Sequence, residues 1–283
     1  RNMGLTVPFA ESMVAILPPP AVSFGLRNGK RRRGEPKVKV AVKTHVGHVR
    51  QVNEDYAEVV ENEGLLLAIL ADGMGGHLAG DVASKMAIKT IKEAFLKSEA
   101  EKNRLEWGEW LRETLIETNR SLYQYALNNI ACSGMGTTVV ALLIGPDYYI
   151  VAHVGDSRLY RFSDDEGSLV TQDHSLVNEL LQRGQITEEE AHQHPQRNII
   201  TRALGTEETI EIDLETYAYT DEKYFLLCSD GLSNYVHREE MKGIITSNLE
   251  VEEKADKLLQ KALDSGGDDN ITLILIKLDG ESL

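Results

Sequence analysis

The chain has 283 residues, 45 acidic against 30 basic for a net charge of −15, and a 42% hydrophobic composition. That balance belongs to a folded globular protein and excludes a disordered or fibrous one. The charge is uneven: residues 1–37 carry +5 and the remainder −20, and so acidic a body repels nucleic acid and anionic membrane and favours cations or cationic partners.

Residues 1–37 hold five of the seven prolines and the basic run Lys30-Arg31-Arg32-Arg33. Their longest apolar stretch stops at Pro18, far short of the roughly 20 residues of a membrane span. The segment reads as a disordered or tag-like basic tail with a slight likeness to a targeting segment. Two cysteines, Cys132 and Cys228, with no C-x-x-C between them, argue against a thiolate metal site or a disulfide framework. Without a secretory leader, the expected setting is the reducing cytoplasm.

From residue 38 the chain reads as one domain, 38–283. Alternating valines predict a half-buried strand over 37–43, and a second strand is expected over 56–61. The continuous apolar run 65–71 suggests a strand covered on both faces. Apolar residues at helical spacing then predict helices over 81–96 and 107–125. Strands follow at 137–144, 148–154 and 158–162, with Gly145-Pro146-Asp147 as a turn. Residues 172–202 differ: two short helical pieces and few large apolar residues predict a semi-detached flap. Strands are expected again at 210–217, 224–228 and 271–278, and helices at 239–245 and 251–263. Strands in runs and helices in separate pairs argue for α+β layers rather than a doubly wound parallel sheet. The cluster Gly73-Met74-Gly75-Gly76 lacks the spacing of either familiar phosphate loop.

Apolar runs repeatedly end in aspartate: LLLAILAD at Asp72, YYIVAHVGD at Asp156 and YFLLCSD at Asp230, while Asp268-Asp269-Asn270 precedes ITLILI. In antiparallel neighbours, the end of one strand lies beside the start of the next, so these acids can converge at one rim. Two carboxylates about 5 Å apart repel by roughly 3 kcal/mol at an effective dielectric near 20, so a cluster must take up protons or hold cations. All-oxygen ligands suit Mg²⁺ or Mn²⁺ rather than zinc. A bridging Asp would support two ions roughly 3.5–4 Å apart, a spacing suited to in-line phosphoryl displacement. Upstream, Arg50-Gln51-Val52-Asn53-Glu54-Asp55 adds two acids and an arginine whose planar fork matches phosphate oxygens.

With these motifs in view, the sequence resembles a bacterial-type member of the metal-dependent protein Ser/Thr phosphatases of type 2C, the PPM family. The likeness rests on RQVNED (50–55), ADGMGGH (71–77), SGMGTT (133–138), VGDSRLYR (154–161), CSDGL (228–232) and GGDDNIT (266–272). It implies a four-layer α-β-β-α sandwich, two antiparallel sheets flanked by helix pairs, with 172–202 as the family's mobile flap. By the same resemblance Asp72 bridges two catalytic ions, Mn²⁺ or Mg²⁺, and the Gly73 carbonyl binds the second. Asp230 and Asp269 complete the first ion's ligands, Glu54 and Asp55 hold the second directly or through water, and Asp156 with Asp230 makes a third, weaker site. Arg50 binds phosphate. The implied reaction is hydrolysis by a metal-bridged water, without a covalent intermediate. Eukaryotic relatives are thought to donate the leaving-group proton from a histidine two residues after the bridging Asp; here that residue is Met74, which leaves water or His77.

The expected activity is therefore hydrolysis of phosphoserine and phosphothreonine on proteins, opposing a bacterial Ser/Thr kinase. Phosphorylated proteins are the expected partners, with no nucleic acid and no membrane span, and the acidic surface favours a monomer. Two other readings stand beside it: a catalytically silent sensor or scaffold of the same fold, and a phosphatase dedicated to one regulatory partner. A calcium-binding module built on Asp268-Asp269-Asn270 fits poorly, since the alternating loop with a terminal Glu is missing.

Overall fold

The computed structural model describes residues 38–75, 79–99 and 101–278. The basic tail and His77 lie outside the described residues. The strands are β1 (Val38–His45), β2 (Asp55–Asn62), β3 (Leu65–Met74), β4 (Gly136–Thr137), β5 (Val139–Ile144), β6 (Tyr148–Val154), β7 (Arg158–Phe162), β8 (Gly167–Leu169), β9 (Asp213–Ala218), β10 (Tyr224–Cys228) and β11 (Ile271–Leu278). The helices are α1 (Ala79–Lys97), α2 (Arg104–Asn128), α3 (Leu176–Gln182), α4 (Glu188–Gln193), α5 (Asp230–Ser233), α6 (Arg238–Ile245) and α7 (Val251–Asp264).

The strands form two antiparallel sheets. One runs in the order β1-β11-β10-β7-β8, the other β2-β3-β5-β6-β9, and β4 pairs with the end of β3. The predicted doubly covered strand explains the layering. Leu65, Leu67 and Ile69 of β3 pack with Ile88 and Phe95 of α1 and with Trp107 and Leu111 of α2. Leu66, Ala68 and Leu70 turn the other way, onto Leu227, Ile274 and Ile276 of the facing sheet. On the far side Met241, Ile245, Leu258 and Ala262 of α6 and α7 cover the first sheet. The result is the four-layer α-β-β-α sandwich expected from the sequence. Each fully buried Leu or Ile contributes about 1.5–3 kcal/mol over leaving it exposed, so the apolar layers hold the strand ends, and the acids on them, in place.

Several boundaries differ from the sequence reading. Strand β3 continues past Asp72, because Gly73 and Met74 pair with Thr137 and Gly136. Helix α2 begins before Trp107, at a capping box in which the Asn103 side chain accepts from the Leu105 and Glu106 N–H groups and the Asn103 N–H donates to the Glu106 carboxylate. Ile210 and Ile212 lie outside β9: Ile212 is buried on α2, and its carbonyl accepts from Arg112 Nη1 at 2.8 Å. The short elements β4, β8 and α5 were not expected. In the 172–202 segment, α3 has no buried residue.

Candidate metal centre

The predicted acids meet at one rim of the sandwich. Asp55 opens β2 and stands opposite Asp72 of β3. Asp230 opens α5 just after β10, and Asp269 lies shortly before β11, the neighbour of β10. Asp156 occupies the turn between β6 and β7. Burial first, then the charges of Asp55, Asp230, Asp156 and Asp269, raises the Asp72 carboxyl well above its ordinary range.

The other acids respond alike. Burial, with Asp230 and Asp269 behind it and hydrogen bonds from Ser229 and Thr272 opposing, pushes Asp55 up to about 7. Burial and Asp230 push Asp156 up to about 7, and burial and Asp269 push Asp230 up to about 6. Glu54 is also raised, by burial, although Arg50 and the Gly80 N–H pull it down. Asp269 is the more open member and receives Arg50 Nη2 at 2.9 Å. The structure thus gathers every predicted carboxylate and Arg50 around one centre.

Glu54 Oε1, Asp55 Oδ1 and Asp156 Oδ1 are buried without a protein hydrogen-bond partner. Orphaned buried carboxylate oxygens are rare and costly, and three on one rim fit a hard divalent cation, which takes oxygen donors. The backbone is shaped around them. A Cβ on Gly73 would lie 2.0 Å from the Gly80 carbonyl oxygen, and one on Gly80 would lie 2.7 Å from Glu54 Oε1. Only two glycines let β3 and α1 close around the Glu54 carboxylate.

Several residues inside the quoted motifs support the centre without having been assigned a part from sequence. Asn270 donates from Nδ2 to the carbonyls of Val46 (2.9 Å) and Val52 (3.0 Å), and its Oδ1 accepts the Glu54 N–H at 2.7 Å. Thr138 Oγ1 accepts the Asp72 N–H at 3.0 Å and shares a hydrogen bond with Ser157 Oγ at 2.7 Å. Ser229 Oγ donates to Asp55 Oδ2 at 2.8 Å. Their signal was position, since each sits within two residues of an acid or its strand partner. Met74 ends β3 beside Gly136.

Among the described residues, the group of metal-ligating side chains that brings a ligand atom from each within 4.8 Å of the others is elsewhere: His153, His174 and Asp213. The rim acids spread more widely, as mutually repelling carboxylates do. Two features make the histidine group a poor ion site. The Gly155 N–H donates to His174 Nδ1 at 3.1 Å, which places the neutral ring's proton on Nε2, the atom that would have to bind the ion. Arg202 Nη1 also occupies Asp213 Oδ1 at 2.8 Å. A cleft of about 440 Å³ opens beside this group, between α3 and the segment around Arg202. No helix among the described residues is long and apolar enough to cross a membrane.

Residues 44–265 match the family described as Protein phosphatase 2C. The chain is 42% identical to the serine/threonine phosphatase stp of Listeria monocytogenes over 84% of its own length and 94% of that protein's. Its structure superposes on the serine/threonine phosphatase Stp1 from Staphylococcus aureus with a TM-score of 0.84 at 38% identity, covering 90% of this chain and all of that one. It also resembles the catalytic domain of the serine/threonine phosphatase PstP in complex with two manganese ions, with a TM-score of 0.72 at 33% identity over 85% of this chain and 98% of the other.

Proposed function

The chain belongs to the protein phosphatase 2C family, and from that premise we propose that it hydrolyses phosphoserine and phosphothreonine on proteins with the help of two Mn²⁺ or Mg²⁺ ions held at the acidic rim, and a third held more weakly. The observation that carries this reading is the set of buried, unpartnered carboxylate oxygens on Glu54, Asp55 and Asp156, grouped with Asp72, Asp230 and Asp269 beside Arg50.

Asp72 would bridge the two ions. Asp230 and Asp269 would complete the first, Glu54, Asp55 and the Gly73 carbonyl would hold the second, and Asp156 with Asp230 the third. Bound divalent ions would supply a strong nucleophile from water at neutral pH and neutralise charge on the phosphoryl oxygens.

The chain's own residues account for the rest. Arg50 is half-exposed, with a guanidinium anchored at one end to Asp269; its free donors can take phosphoryl oxygens, as a planar fork does for phosphate. The apolar core behind β3 and the bond from the Asp72 N–H to Thr138 Oγ1 hold that carboxylate in place. Met74 has no proton to give, so the leaving alkoxide takes its proton from water or from His77. Residues 172–202 act as a flap beside the Asp156 turn.

The substrates are phosphorylated proteins, the natural opponent is a Ser/Thr kinase, and the setting is a cytoplasm in which the enzyme works as a monomer. Phosphate release from a panel of phosphoserine and phosphothreonine peptides tests this: activity should require added Mn²⁺ or Mg²⁺ and vanish in Asp230→Asn. Full activity in chelator would overturn the metal reading, and a folded protein inert on every phosphopeptide would favour the silent scaffold. One responsive peptide in a broad panel would mark a phosphatase dedicated to a single partner.

A further inference from the structure

The turn that carries Asp156 is held from one side by a short strip of chain, residues 171–174. His153 Nε2 lies 2.8 Å from the Gln172 carbonyl. Arg158 grips the Asp173 carboxylate with Nε at 2.9 Å and Nη2 at 2.6 Å. The Leu159 N–H donates to Thr171 Oγ1 at 3.1 Å. Between these, Gly155 and His174 bond to each other twice: the Gly155 N–H donates to His174 Nδ1 at 3.1 Å, and the His174 N–H donates to the Gly155 carbonyl at 3.0 Å. From the opposite side the turn meets Thr138, since a Cβ on Gly155, whose φ is +103°, would lie 2.6 Å from Thr138 Cβ. Thr138 in turn holds Asp72. Gly155, the residue before Asp156, is therefore wedged between His174, which bonds it through both imidazole and main chain, and the residue that fixes Asp72.

His174 also reaches the other end of the 172–202 segment. Burial, with His153 and Arg202 adding to it, pushes its pKa down, so the ring carries a single proton near neutrality. With Nδ1 accepting from Gly155, that proton sits on Nε2, which faces Asp213 Oδ2 at 3.3 Å without completing a hydrogen bond. Asp213 Oδ1 accepts Arg202 Nη1 at 2.8 Å, and the Thr201 N–H donates to the His174 carbonyl at 2.9 Å. One imidazole thus touches the acid turn through one nitrogen and faces, through the other, the carboxylate that anchors the far end of the segment.

We propose that His174 is a positioning residue for Asp156: its Nδ1 holds the Gly155 N–H, in the peptide just ahead of the Gly155–Asp156 link, so that the Asp156 carboxylate faces the acidic rim and can hold a cation there, while its Nε2 only faces Asp213 beside the 172–202 segment. The proposal rests on the reading of Asp156 as a cation ligand. Outer groups that orient a metal ligand typically change metal affinity or activity 10–100-fold when removed.

Two near-isosteric substitutions separate the arms. His174→Asn keeps an acceptor where Nδ1 lies and removes the group facing Asp213. His174→Gln keeps a donor facing Asp213 and removes the acceptor. Metal-free protein titrated with Mn²⁺ alone, following loss of the free-ion EPR signal, reports ion number and affinity without turnover. Wild type and His174→Asn should bind alike within about threefold, whereas His174→Gln should weaken the weakest class of ion at least about tenfold, matching Asp156→Asn, with no further loss in the double variant. If His174→Gln does not fold, His174→Phe keeps a ring packed on His153 and lacks the acceptor, and supplies the same comparison. Equal Mn²⁺ binding in His174→Gln and wild type, with Asp156→Asn weakened, would overturn the positioning role alone. Equal weakening in His174→Asn and His174→Gln would overturn it too. Unchanged binding in Asp156→Asn would overturn the ligand reading and the proposal together.

Discussion

Asp55 and Asp72 face each other across the β2–β3 ladder, and the charges acting on Asp72 are those of four other carboxylates. The apolar layers force this arrangement: β2 and β3 pair in the register that buries Leu65 to Leu70, and that register leaves two carboxyls side by side at the strand ends. Core stability and a destabilised rim come from the same pairing.

Without metal, the rim should therefore cost stability in a pH-dependent way. Folding raises these carboxyls, Asp55 and Asp156 to about 7 and Asp230 to about 6, so the folded state binds protons that the unfolded state has released. Their contribution is fully present below about pH 4 and is lost as pH rises toward 7. In chelator at pH 7.5, Asp72→Asn should be more stable than wild type by about 1–3 kcal/mol, and the gap should be narrower at pH 4.5 and close below about pH 4. Urea unfolding of both proteins at the two pH values measures it; a gap independent of pH would mean that like-charge repulsion is not what the substitution relieves.

Added Mn²⁺ should reverse the order. A ligand that binds only the folded state at 100 times its Kd stabilises by about 2.7 kcal/mol. Thermal unfolding at pH 7.5 should show wild type rising by several degrees on adding millimolar Mn²⁺ and Asp72→Asn scarcely moving.

Arg50→Ala should lower kcat/KM toward phosphopeptides about 10–100-fold, the worth of one or two hydrogen bonds to a charged group. The side chain is half-exposed, so the melting temperature should stay within about 2 °C of wild type. Arg50→Lys should fall between, because a point charge replaces a fork. A large fall in melting temperature would show that Arg50 acts through the fold.

Gly80→Ala places a methyl 2.7 Å from Glu54 Oε1. It should weaken Mn²⁺ binding and activity at least about tenfold while far-UV circular dichroism stays native, since the methyl displaces the acid and presses on the Gly73 carbonyl carbon at the end of β3, away from the apolar layers. Activity equal to wild type would mean that Glu54 can move aside without consequence, which is incompatible with a ligand role.

Much of this was legible beforehand for a physical reason. The layers follow from hydrophobic periodicity, and the run 65–71 announced a doubly covered strand. Asp72, Asp156, Asp230 and Asp269 were legible because each followed or preceded such a run, whereas Glu54 and Asp55 took their part from the family resemblance. What escaped was chemistry carried by side chains with several possible jobs. Asn270 and Thr138 are ordinary turn and strand residues until their partners, Val46, Val52 and Glu54 for one and Asp72 for the other, are brought to them from far along the chain. Helix α5 is too short to show a period. Residues 210–212 read as strand because their isoleucines are apolar, but apolarity cannot say whether a helix or a sheet will cover them. His174 was equally silent, being one histidine among eight until Gly155 and Asp213 met its two nitrogens.

Among the described residues the first strand, β1, pairs only with the last, β11, and Asn270, at the threshold of β11, bonds back to Val46, Val52 and Glu54. During synthesis the chain emerges from its N-terminus, so the loop bearing Arg50 and Glu54 waits, without its tether, until about residue 278 has left the ribosome. Asp269 arrives in that same closing step. The nascent chain is thus spared the full repulsion of its acids until the strand that completes their enclosure is available, and the complete set of acids exists only once the N-terminal and C-terminal strands have met.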